Sequence, residues 1–146
     1  MIPNDPRIAF NRAQTLVFDP RHQNEAFSLY QQCAQDRRAE PCLRASAIVG
    51  AGLVMEHAGR HAAARDFYNL ALEMDPACVS AWMNIATLDV FEGHVDKARH
   101  FLEWMVEAKP DVWEAKYNLA LVLLLLGEYE RGWNLYRHRP SAREAA

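Results

Sequence analysis

The chain has 146 residues, 51% of them apolar and 24% charged, with a net charge of −3, the mix of an ordinary soluble protein of one domain's length. With no cluster of lysine and arginine, that charge argues against nucleic acid and against an anionic membrane surface as the main partner. The longest apolar run, residues 119–126, covers eight positions, far short of the roughly 20 needed to cross a bilayer, so no membrane insertion is expected.

Apolar spacing near the helical period runs through almost the whole chain, and no period-2 strand interrupts it. The first ten residues, MIPNDPRIAF, lack a basic segment followed by a long apolar run, so no signal peptide is expected. Paired helices are expected at 8–19 and 22–37, 43–58 and 60–74, 78–92 and 94–108, and 112–126 and 128–138. Gly59, Gly93 and Gly127 close the first helix of a pair, where a left-handed residue ends the last turn without steric cost. Asp75-Pro76 and Lys109-Pro110 end the second helix, because proline disfavours helical geometry in its predecessor and cannot continue the ladder. Residues 38–42 insert about four residues between the first pair and the second, and 140–146 reads as a frayed tail. Cys33, Cys42 and Cys78 form no CxxC pair and leave an odd one out. That pattern suits reduced thiols and predicts a cytoplasmic location.

The glycines lie 34 residues apart, as do Pro76 and Pro110, and a common skeleton returns around them. It reads Ile48-x2-Ala51-Gly52-x2-Met55, then Trp82-x2-Ile85-Ala86-x2-Asp89, then Lys116-x2-Leu119-Ala120-x2-Leu123. After each glycine follow Ala64-x3-Tyr68, Ala98-x3-Leu102 and Gly132-x3-Tyr136. A period of this size marks stacked helical pairs, none of which can bury its apolar face alone. Gly52, Ala86 and Ala120 are expected where the helices of a hairpin approach closely, opposed by Ala64, Ala98 and Gly132.

These residues resemble the tetratricopeptide repeat family, whose pattern is W-x2-LG-x2-Y…A-x3-F…P. The resemblance is close in 45–78 and 79–112, incomplete in 113–146, where Lys116 takes the tryptophan slot, and degenerate in 7–40. It implies an all-α, right-handed superhelical solenoid of antiparallel helix pairs, a single domain of about four units. It further implies a non-catalytic scaffold that binds a partner peptide or helix in a concave groove lined by the first helix of each pair. On this chain that groove would draw on Val49 and Leu53, on Met83, Asn84 and Thr87, and on Tyr117, Asn118 and Leu121. Asn84 and Asn118 are equivalent, and an amide there can both donate to and accept from a bound backbone. The cation clamp that some family members use for acidic C-termini is not expected, since Val49, Leu53, Glu114 and Asn118 occupy its places.

The run 121–126 is apolar on all sides, so more than one face must be covered. Self-association is therefore expected at the C-terminal edge, through Leu124, Leu125, Leu126 and Trp133, most simply as a two-fold homodimer.

No phosphate loop, nucleophile elbow, HExxH or kinase set is present, so neither an enzyme nor a cofactor is expected. His57 and His61 have i, i+4 spacing, but Gly59 breaks the helix between them, and no metal site is expected. Asp89 stands where the repeat calls for a buried tyrosine, and Lys97 or Arg99 is expected to supply its counter-charge. The string LALVLLLLGEYERGWNLYRHR also looks like repeats that precede bacterial glycosyltransferase-like domains. That likeness implies an alternative role as a targeting subunit of glycan-modifying machinery. A secretion-type chaperone is a further alternative.

Overall fold

In the computed structural model, which describes residues 5–137, the chain is helical, with no strand among those residues. The helices are α1 (Pro6–Leu16), α2 (Gln23–Gln35), α3 (Pro41–His57), α4 (His61–Met74), α5 (Val79–Phe91), α6 (Val95–Ala108), α7 (Trp113–Leu125) and α8 (Tyr129–Arg137). This is the all-α arrangement of helix pairs expected from the repeat. The expected end of the last helix at 138 and the tail at 140–146 lie outside the described residues.

Gly59, Gly93 and Gly127 have φ of 77°, 85° and 84°, a conformation that carries little penalty without a Cβ. Each lets the chain fold back on the helix it ends. Arg60 N–H donates to the Met55 carbonyl at 2.9 Å, His94 to Asp89 at 2.7 Å and Glu128 to Leu123 at 2.9 Å. The three ends are the same capping motif, satisfying carbonyls that the helix leaves unpaired.

The first hairpin departs from expectation at its turn. α1 stops at Leu16 rather than continuing to 19, because Pro20 forces Asp19 into extended backbone (φ −92°, ψ 112°). The Asp19 carboxylate then accepts the Arg21 N–H at 3.0 Å and caps a single 3-10 turn, Pro20–His22. The same Asp-x-Arg clasp opens α1 at Asp5 and Arg7 and follows α2 at Asp36 and Arg38. Hydrogen bonds from the arginine side chain, then from its backbone N–H, hold the Asp19 and Asp36 carboxyls at about 2.

The chain forms two compact units, Met1–Ile85 and Ala86–Ala146, with the boundary inside α5. The core of the first unit gathers Ala13, Val17, Ala26, Tyr30, Cys33, Ala47, Ala51 and Val54. Its helices lie close because of two glycines. A methyl at Gly50 would run into the Tyr30 ring, and one at Gly52 would lie 2.5 Å from the Tyr68 ring. Burial of such side chains is the main stabilising term, on the order of 1.5–3 kcal/mol for each large one.

In the second unit α7 is buried along Ala115, Leu119, Ala120, Val122 and Leu123, while α6 contributes Ala98, Leu102 and Met105. Gly132 lets α8 approach α7, since a methyl there would sit 3.2 Å from the Ala120 carbonyl and 2.9 Å from Leu124. Four charges join α6 to this hairpin. Arg99 pairs with Glu128 at 2.6 Å and Glu103 at 3.2 Å, and Arg131 reaches Glu103 at 2.9 Å. Burial pushes the Glu103 carboxyl up, but hydrogen bonds from Arg99 and Arg131 outweigh it and hold it below the usual glutamate range.

Candidate functional site

The second unit carries an apolar depression of about 280 Å³ between α5 and α7. Ala86, Thr87, Val90 and Phe91 line it from α5, Asn118, Leu121, Val122 and Leu125 from α7, and Leu102 from α6. On α7 these positions follow i, i+3, i+4, i+7, so one helix face supplies the whole wall. Phe91 is 73% exposed, Leu125 63% and Leu121 42%, so the rim is open to solvent. Thr87 and Asn118 are the polar side chains in the lining. The Asn118 amide makes no hydrogen bond among the described residues, which leaves both its donor and its acceptor available.

The residues expected to line a groove separate into several settings. Thr87, Asn118 and Leu121 meet in the depression, joined there by Leu125, which was expected at a self-association edge. Met83 and Asn84 fall in the first unit, with Val49 and Leu53. Val49 and Met83 are 3% and 7% exposed and offer no surface to a partner. For Val49 the reason is that α3 is buried on nearly every side, residues 47–52 included. Leu53 packs on the core of α1, α2 and α3. The depression also takes in Val90, whose position the repeat pattern did not single out.

Tyr117 joins a run of rings on the last hairpin. Trp113 and Tyr117 are 6.3 Å apart, Tyr117 and Tyr136 5.8 Å, and Tyr136 and Trp133 5.6 Å between centroids. Such spacing is in the range where aromatic pairs attract beyond their buried area. Leu124 packs against Gly132, and Leu126, just past the end of α7, is 38% exposed.

Asp89 is 3% exposed, as expected for its place in the repeat, and Lys97 Nζ lies 3.9 Å from its Oδ1. Arg99, the other expected partner, is committed to Glu103 and Glu128. Ligand atoms of Asp89, Glu92 and His94 come within 4.8 Å of one another. Sequence reading did not bring these three together, because the turn at Gly93 has to fold His94 back toward α5. The Lys97 ammonium supplies cationic charge beside Asp89. His57 ends α3 and rests its ring 5.3 Å from Phe18, while His61 opens α4, so the two do not share a helix. No described helix is long and apolar enough to cross a membrane.

One family model of the tetratricopeptide repeat matches residues 45–78 and another matches residues 83–132. The search of curated proteins found no match. Among solved structures, the chain is similar to Pseudomonas aeruginosa PilF, with a TM-score of 0.64 and 15% identity, over 90% of this chain and 58% of that one. It is also similar to MamA, with a TM-score of 0.63 and 18% identity, over 93% of this chain and 77% of that one. A MamA RS-1 double mutant gives 0.62 and 18%, over 92% and 73%. The chain therefore spans under two thirds of the PilF structure, and at these identities the likeness is one of fold. Repeats of this kind generally serve protein–protein interaction rather than catalysis. Matched over more than half its length and sharing the fold, the chain belongs to the tetratricopeptide repeat family.

Proposed function

We propose that the chain is a non-catalytic scaffold whose depression between α5 and α7 receives an apolar-anchored segment of a partner protein. The observation that carries this reading is the conjunction at that site of an open apolar wall and the Asn118 amide, which makes no hydrogen bond among the described residues. Leu121, Leu125 and Phe91 would cover the partner's anchor, a burial that contributes roughly 25 cal/mol per Å² before ordering costs are met. Asn118 would fix the register of the bound backbone by donating to one carbonyl and accepting from one N–H. Asn84 occupies the equivalent repeat position and is proposed to play the same part. The three free cysteines, two of them buried, support a reducing compartment such as the cytoplasm.

The test is quantitative affinity capture comparing wild type with Asn118→Ala/Leu121→Glu, after both give the same helicity and melting temperature. A partner lost from the variant alone supports the site. Equal recovery of every partner overturns it.

A further inference from the structure

The outer face of the α7–α8 hairpin is uncovered at positions that are closed elsewhere in the chain. One repeat period before Tyr117 and Tyr136 stand Met83 and Leu102, and one before those Val49 and Tyr68; all four are at most 7% exposed. Tyr30, at the corresponding place in the first hairpin, is 2% exposed and lies against Gly50 of α3. Tyr117 and Tyr136 are only partly buried, and beside them Trp133 and Tyr129 are 48% and 64% exposed. Tyr129, Trp133 and Tyr136 follow i, i+4, i+7 and make one aromatic stripe along α8. Aromatic side chains of this kind are enriched at the centres of protein interfaces.

The charges along that stripe indicate what covers it. Glu130 and Arg137 are seven residues apart on one flank of the stripe, and neither makes an ion pair among the described residues. Arg131 and Glu128, by contrast, are engaged with each other and with α6. When α8 is laid antiparallel on a second α8 about a two-fold centred near Trp133, Glu130 of each copy faces Arg137 of the other. A two-fold contact repeats every such pairing, so one unpaired acid and one unpaired base complete two ion pairs.

Head-to-tail stacking of copies does not offer the same fit. There α1 would have to seat on the α7–α8 face as α3 seats on α1 and α2. Where α3 carries Gly50, α1 carries Arg12, bound at 2.7 Å to Glu25. The later repeats carry Asn84 and Asn118 at this position, both neutral side chains. Seating Arg12 against a ring would instead bury its charge and break its pair with Glu25, which disfavours an open chain of copies.

We propose that a second copy of this chain covers the α7–α8 face in a closed dimer, with α8 antiparallel to its counterpart. Light scattering at about 50 μM, above the micromolar constants of weak dimers, should give twice the 16.7 kDa chain mass. Trp133→Glu should give the monomer with unchanged helicity, its site being exposed. Glu130→Arg and Arg137→Glu should each weaken the dimer about fivefold, and the two together should restore it. A monomeric wild type, a dimer indifferent to Trp133→Glu, or a double reversal as weak as the single ones would overturn the proposal.

Discussion

Tyr68 and Glu56 are tied across the α3–α4 hairpin, the buried phenol donating to the carboxylate at 2.6 Å. Burial, and then the bond to Glu56, push the phenol's pKa well up, so the donor persists through any ordinary pH. Tyr68→Phe keeps the ring in place and removes only this bond. The expected loss is about 1–2 kcal/mol, toward the lower end for a charged acceptor because Glu56 can turn to water. Denaturant unfolding that gives equal stability for both proteins would mean the bond is not maintained in solution.

Small residues at the hairpin contacts give a second prediction. Ala98 has no exposed surface, so Ala98→Leu must displace its neighbours at a cost of about 1–3 kcal/mol. Gly52→Ala should destabilise as well, since its methyl meets the Tyr68 ring. An unchanged melting temperature in Ala98→Leu would show that the repeat register is wrongly drawn.

The Asp-x-Arg clasps make stability depend on acid. Asp19 and Asp36 ionise at about 2 when folded, against an ordinary 3.8. A depressed carboxyl stabilises the fold above its unfolded value and loses that contribution as pH falls from about 4 toward about 2. Both clasps are solvent-exposed, so the effect is small and screened. Asp19→Asn/Asp36→Asn, which keeps an acceptor for the backbone N–H, should melt below wild type at neutral pH. The two curves should converge by about pH 2. A constant gap across that window would remove the carboxylate charges from the account.

Salt should act on the second unit. Arg99→Met removes the centre of the bridge between α6 and the α7–α8 turn and should lower the melting temperature at low ionic strength. The difference should shrink at about 1 M salt, where screening reaches only about 3 Å. Thermal melts of the two proteins at both ionic strengths check this, and a salt-independent difference would assign the loss to packing of the arginine stem instead.

The helix boundaries were legible because glycine and proline mark them chemically. The exception, α1 ending at Leu16, turned on Pro20, whose effect on Asp19 outweighed a continuing apolar pattern. The depression was legible in part, since a 34-residue period places Thr87 and Leu121 at equivalent positions on α5 and α7. Burial was harder to read. Val49 occupies the same repeat position as Tyr117, yet one is enclosed and the other partly open, because exposure depends on what packs above a residue rather than on its place in the repeat. The ring contacts from Trp113 to Trp133 likewise required α7 and α8 to be docked before they could be seen.

The burial of Cys33 equips the chain with a chemical clock. Its thiol has no exposed surface, and burial raises its pKa, while Cys42 lies in the open. A disulfide reagent should consume Cys42 at once and reach Cys33 only through openings of the core around α2 and α3. The lag between the two labels therefore times how often that core breathes, without any probe being engineered into the protein.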